Sequence, residues 1–219
     1  AGGWQLDGFA PWATSWGIAD QFCIAAESDD GDLVWSMIPG SASSGVAATE
    51  LELSVLSSTG TVALGFEQCV IAPEEVVLVE SAERWRAGDR RRSAIGQPAA
   101  LGVADRAIRL LDEFDTARTL HDEVADAAGR LRSELATTWT HDDDLVDAML
   151  SGTDSIERAS DHRAACLDLA RRSTTALLAA SGGRGMDLDQ PAQRLAREAD
   201  FYVIQAQTTD GRAATLRSV

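Results

Sequence analysis

No stretch of these 219 residues stays apolar for long. Runs such as Ala176 to Ala180 fall far short of the ~20 residues that span a bilayer, and the N-terminus has no charged segment leading into an apolar one. A soluble, cytoplasmic protein is the expectation. Positive charge is scarce too: 19 basic residues stand against 35 acidic ones, for a net charge of −16 and a pI near 4.4. Such a field repels phosphate backbones and sets nucleic acid aside as a partner, although local backbone amides and a few arginines can still hold a pyrophosphate. Cysteine is rare and odd in number. Cys23, Cys69 and Cys166 are widely spaced in apolar surroundings, which fits core packing in a reducing compartment rather than a disulfide framework. The three histidines, His121, His141 and His162, are read as forming neither an H-x-x-x-H nor a Cys-paired spacing, so surface or helix-face places are expected for them and no metal site. There is no G-x-G-x-x-G, no Walker loop and no nucleophile elbow, which removes the corresponding dinucleotide, phosphate-loop and serine-hydrolase readings.

What is present has two periods. With 45% hydrophobic residues the chain can bury one good core or two small ones. From Trp4 to about Leu78, short apolar runs alternate with turn residues, the pattern of antiparallel strands. Trp4 to Leu6, the Asp7-Gly8 dipeptide and Phe9 to Ser15 predict a hairpin. Ile18 to Ala26, the polar turn Ser28 to Asp32, and Leu33 to Ile38 predict a second. Further strands are expected at Val46 to Leu53, Thr61 to Phe66 and Cys69 to Ile71, closed by Pro73, and strands so closely spaced predict a small barrel or sandwich.

After the charged residues Glu80 to Arg92 the period lengthens to that of helices. Ile95, Ala99, Val103, Ala107, Leu110, Leu111 and Phe114 share one stripe, with Pro98 near its start. Leu120, Val124, Ala127, Leu131 and Leu135 mark a second helix. A third runs from about Ile156 to Ala180 and stops at Ser181-Gly182-Gly183, where glycine suits a C-cap. Pro191 to about Gln205 makes a fourth. One stripe per helix needs partners, so the fold class expected is α+β: a small antiparallel β-barrel or sandwich followed by an antiparallel four-helix bundle. The divisions read from the sequence are 1–79 for the β-domain, 80–93 for a connector and 94–219 for the bundle.

Four segments in order then resemble one family. Gly3-Trp4-Gln5-Leu6-Asp7-Gly8-Phe9-Ala10-Pro11-Trp12-Ala13-Thr14 is similar to G-W-x-L-x-G-x-K-x-W-(I/V)-(T/S), and Ile18-Ala19-Asp20 to the Ala-Asp that opens the next strand. Thr59 to Pro73 is similar to S-x-T-x-x-L-x-F-x-x-V-x-V-P with one extra residue before the proline. Gly182-Gly183-Arg184-Gly185 and Pro191 to Ala199 are similar to G-G-x-G-(Y/F) followed by P-x-E-R-x-x-R-D-A. Together they make the chain resemble the middle β-domain and C-terminal helical domain of the acyl-CoA dehydrogenases.

The resemblance implies FAD as cofactor, with Trp12, Thr14 and Ser15 against the flavin ring, where an indole can pack and a hydroxyl and an amide can tune its polar edge. It implies that Thr59 and Thr61 approach the cofactor pyrophosphate, and that Gly182, Gly183 and Gly185 form a loop touching cofactor from a neighbouring subunit. It implies an acyl-CoA or similar thioester as substrate and a homo- or hetero-oligomer. The family's N-terminal helical domain would precede Ala1, so another segment or polypeptide is expected to supply it.

The departures lie at the chemistry. The family's base glutamate in I-x-E-G-T matches Ala206 within Ile204-Gln205-Ala206-Gln207-Thr208, and the alternative base on the first bundle helix has no glutamate before Glu113. Asp105, midway along that helix, is expected to face solvent. The family arginine of R-x-S falls on Ser57, and no counterpart of the R-x-x-F-G…Q cofactor segment is read between Phe114 and Leu131. Losing a general base typically costs 10² to 10⁴-fold or so in rate. The expected activity is therefore an acyl-CoA dehydrogenase-like oxidoreductase acting on CH-CH bonds, with no catalytic residue assigned. Its alternatives are a non-catalytic partner subunit of a heteromeric dehydrogenase and a flavin-dependent monooxygenase on the same fold.

Overall fold

The computed structural model describes residues 3–114 and 120–219. Residues 115–119, which belong to the stretch lacking a cofactor-segment counterpart, lie outside it. The chain forms two compact units, Ala1–Gly88 and Asp89–Val219. It is α+β, as its two periods imply, and the first unit is a pair of sheets rather than a closed barrel.

One sheet has the order β1-β5-β4 and the other β2-β3-β6, from β1 Trp4–Ala13, β2 Gln21–Glu27, β3 Asp32–Pro39, β4 Val46–Glu50, β5 Val62–Ile71 and β6 Val76–Ser81. All neighbours in both sheets are antiparallel. Side chains from both sheets meet in one core of Ile38, Val46, Val62, Leu64, Phe66, Cys69 and Ile71, with Leu6, Phe22, Ile24 and Val76 around it. Strand β5 shows how the sequence holds this core. Val62, Leu64 and Phe66 point inward on even numbers, Cys69 and Ile71 on odd ones. The change of phase falls at Gln68, whose φ of 49° marks a bulge that absorbs one residue. Asp7 locks it, its Oδ1 accepting the Gln68 N–H at 2.6 Å.

The first hairpin does not form. Trp4–Ala13 is one strand along β5, and Asp7-Gly8 is an irregularity in that pairing, between Leu6↔Cys69 and Gly8↔Phe66. The second hairpin forms as expected, β2 pairing β3 from Gln21↔Pro39 to Glu27↔Leu33. Thr61 to Ile71, read as two strands, is continuous β5 apart from Thr61. The expected connector is instead regular: β6 runs to Ser81, and α1 Ala82–Ala94 follows it. Its alanines, glutamate and arginines are good helix formers, and it lacks the apolar stripe that reveals the other helices.

The four expected bundle helices are α2 Pro98–Asp112, α3 His121–Ser151, α4 Ile156–Ser181 and α5 Pro191–Ile204. A fifth, α6 Thr209–Arg217, follows them. Their ends are chemically specified. Prolines stand in the first turns of α2 and α5, the Ser155 hydroxyl accepts the Arg158 N–H, and Thr208 does the same for Gly211. Helix α4 is central. It is buried at Ala159, Ala164, Cys166, Leu167, Leu169, Ala170 and Leu177, and it packs against α2, α3, α5 and α6. On its outer side Arg172 joins α4 to α3, donating to both carboxylate oxygens of Glu134, with Nη1 to Oε2 at 2.9 Å. Among the described residues no helix is long and apolar enough to cross a membrane.

Two outcomes follow. Leu64→Ala, at a fully buried position, should destabilise the sheet unit by about 2–5 kcal/mol, and Val70→Ala, at an exposed position on the same strand, by less than about 0.5, in urea melts followed by tryptophan fluorescence. The Arg172 hydrogen bond holds the Glu134 carboxyl below its ordinary 4.5, so the pair's contribution is complete above that pH and is lost as pH falls through the lower folded value. Both side chains are half exposed, so Arg172→Ala should cost only ~0.2–1 kcal/mol at neutral pH, and the difference in melting temperature from the parent should close in acid.

Candidate functional site

Pairing of β1 with β5 brings distant hydroxyls together. Ala13 stands opposite Val62, which places Thr14 beside Thr61 just past the end of the ladder. The Oγ atoms of Thr14 and Thr61 are 3.1 Å apart, those of Thr61 and Thr59 2.7 Å, and Thr59 Oγ1 donates to the Leu56 carbonyl at 2.7 Å. That last bond fixes the order of the protons. Thr59 gives its proton to Leu56 and so accepts from Thr61, which in turn accepts from Thr14. The open end of the chain is Thr14, exposed, with free lone pairs.

The backbone beside this chain is held just as firmly. Ser15 adopts φ 76°, its N–H donates to the Thr59 carbonyl at 2.8 Å, and the Trp16 N–H donates to Gly60 O at 2.9 Å. The Ser15 amide is thus spent inside the protein, and of this residue the hydroxyl is what remains for a ligand. Trp12, two residues before Thr14, is 63% exposed. Trp12, Thr14, Phe9 and Phe22 line a cleft of about 820 Å³ in the sheet unit. A large exposed ring that stacks on no other ring among the described residues, next to an acceptor hydroxyl, suits a flat aromatic ligand with a polar edge.

Gly182, Gly183 and Gly185 lie in the helical unit, in the 3₁₀ turn Gly182–Met186 that ends α4. Gly182, at φ 57° and ψ −144°, holds a conformation that only glycine adopts readily, and Gly185 is buried against Leu178. Ser181 at the end of α4 and Arg184 of this turn line a second cleft of about 340 Å³ with Leu110, Glu113, Phe114 and Pro191.

At the position matched to the base, Ala206 is exposed in the bend between α5 and α6 at φ 50°. The carboxylates on and just after α2 are engaged: Asp105 is half-buried and paired with Arg109 at 2.8 Å, and Glu113 with Arg106 at 3.4 Å.

Two sequence expectations are corrected and one is narrowed. Cys23 is exposed rather than in a core. His162 takes the helix-face place of the two expected, buried on α4. And His162 meets Cys166 and Asp142 inside the helical unit, their ligand atoms all within 4.8 Å, where no metal-type cluster is expected from the sequence. The signal was the four-residue step from His162 to Cys166, one turn of α4; Asp142 comes from α3 and leaves no local trace.

The chain has the fold of the acyl-CoA dehydrogenases. An acyl-CoA dehydrogenase from Geobacillus kaustophilus matches with a TM-score of 0.78 and 17% identity, over 99% of this chain and 61% of that one. Butyryl-CoA dehydrogenase from Megasphaera elsdenii gives 0.76 and 17%, over 99% and 60%. The flavoprotein nitroalkane oxidase gives 0.78 and 18%, again over 99% and 60%. This chain spans about 60% of the length of the structures it matches. No protein-family model and no curated protein matches the sequence. At these identities the likeness is one of fold.

The proton order in the hydroxyl chain gives a test. Thr14→Val and Thr61→Val, alone and together, should show a coupling of about 0.5–1 kcal/mol in urea melts, since either change breaks the same bond. Strict additivity would mean that the two hydroxyls do not interact.

Proposed function

We propose that this chain is the flavin-contacting and helical part of an FAD-dependent oxidoreductase of the acyl-CoA dehydrogenase type, acting on an acyl thioester or similar carbonyl compound within a homo- or hetero-oligomer. The observation that carries the reading is the exposed Trp12 beside the open end of the Thr14–Thr61–Thr59 chain. These residues fit an isoalloxazine: the indole offers a face, the Thr14 lone pairs an acceptor, and Ser15 a second hydroxyl. Thr59 and Thr61 brace Thr14, and in this reading Gly182, Gly183 and Gly185 let backbone approach cofactor closely. Bound flavin would supply a two-electron acceptor for hydride.

The protein's own contribution to the proton is where the reading departs from a dehydrogenase. Breaking an α-C–H bond needs a positioned base, and Ala206 has no titratable group. Asp105 and Glu113 are each paired with an arginine. Hydride transfer from an ordinary acyl-CoA is therefore expected to be slow in this chain. Ala206 favours a second reading, a partner subunit that contributes its flavin-contacting strand to an active homologue.

Flavin fluorescence titration separates these readings from no flavin function at all: FAD should bind, and Trp12→Ala should weaken it about tenfold or more, each tenfold being ~1.4 kcal/mol. Absence of FAD binding by the oligomer would remove the proposal. Mixing the loaded protein with a series of acyl-CoAs should give little bleaching, while Ala206→Glu should gain rate if the matched position is the base position. Fast bleaching by the unaltered protein would place the base elsewhere.

A further inference from the structure

We infer that the buried Asp142, His162 and Cys166 form a binding site for one thiophilic divalent cation such as Zn²⁺, tying α3 to α4 in the helical unit. Three donor types converge there on one nitrogen. His162 Nε2 lies 3.0 Å from Asp142 Oδ1 and 3.5 Å from Cys166 Sγ. In the metal-free arrangement His162 Nε2 hydrogen-bonds Asp142, and a single nitrogen cannot at the same time offer its lone pair to the Cys166 thiol. A cation in the middle satisfies all three at once. Tetrahedral zinc takes sulfur at about 2.3 Å and nitrogen or oxygen at about 2.0 Å, which sets donor-to-donor spacings of roughly 3.3–3.5 Å. The His162–Cys166 spacing falls at the top of that range and the His162–Asp142 spacing just below it, and all three donor atoms lie within 4.8 Å of one another.

The surroundings fit a closed, structural site. Asp142 is 4% exposed, His162 7% and Cys166 0%, so the site is dry. Gly96 leaves just enough space beside the carboxylate: a Cβ there would lie 1.6 Å from Asp142 Oδ1. His141, its ring centroid 4.7 Å from that of His162, stands beside the three and can supply a fourth donor after a rotamer change, as can water. The balance is simple. The cation displaces one proton from the Cys166 thiol, binds the neutral imidazole of His162, and its two positive charges are met by the thiolate and the Asp142 carboxylate, so no net charge is buried.

The test uses the full chain after exhaustive chelation. Zinc added to it should bind near one per chain and raise the melting temperature, and Co²⁺ should give a near-ultraviolet thiolate-to-metal band. Cys166→Ser should abolish that band, and Asp142→Asn should weaken cobalt binding at least about 10- to 100-fold while retaining the band at saturation. Cys23→Ser, altering an exposed thiol, should change neither readout. A chelated chain that folds yet shows no band and no thermal shift with either metal overturns the site, and so does a band that survives Cys166→Ser or vanishes with Cys23→Ser. Should Cys166→Ser fail to fold, the parent's stoichiometry and the Asp142→Asn affinity still decide.

Discussion

A guanidinium that meets no carboxylate among the described residues organises the helical unit. Arg163 is 3% exposed, and burial pulls its pKa below the usual arginine range. Its partners are main-chain and amide oxygens: Nη1 donates to Ser93 O at 3.2 Å, Nη2 to Gln205 O at 2.8 Å, and the Gln97 amide, with its oxygen turned inward, accepts from both. Arginine alone offers enough donors in a fixed plane to do this. The end of α1, the residue before α2 and the bend after α5 are thereby fixed to the first third of α4. Breaking one of these bonds leaves a buried charge short of a partner, so the four segments hold or fail together. The bend that carries Ala206 is one of them.

Local patterning recovered what local forces determine. The stripes on α2 to α5, the prolines that open α2 and α5, and the Asp-Asp-Gly turn between β2 and β3 were legible because each is decided within a few residues. Asp7-Gly8 was misread because the partner of β1 is some sixty residues away in β5; the same dipeptide that makes a tight turn also suits a bulge. Helix α1 was invisible as a helix because it has no apolar stripe to show. Of the candidate site, Trp12 and the three threonines came from the family resemblance, and the structure adds that Thr14, Thr59 and Thr61 share one proton chain. The Asp142–His162–Cys166 meeting depends on the register of α3 against α4, which no spacing within one helix reports.

The two units use different chemistry for the same purpose. In the sheets, order at the rim comes from hydroxyls and amides, with the Asp7 carboxylate kept low by Gln5 and by the Gln68 N–H. In the helices it comes from arginine: Arg90 grips both oxygens of Asp210, Arg132 meets Asp112 and Arg217 meets Asp161. All 19 Lys-or-Arg side chains of the sequence are arginines, so each arginine–carboxylate pair among the described residues has a planar fork available. In a molecule of net charge −16 these forks are also what keeps neighbouring acidic helix faces together.

The bulged pairing of β1 has one more consequence. This strand is an outer member of its sheet, and Phe9 and Trp12 on it are largely uncovered. A straight edge of that composition would be a template for stacking copies end over end into fibrils. Here the ladder breaks once between Leu6 and Gly8 and again between Ala10 and Ala13, so no long, evenly spaced row of peptide groups is presented outward. The same interruptions that leave the indole of Trp12 open to a flat ligand deny a second strand the footing for growth.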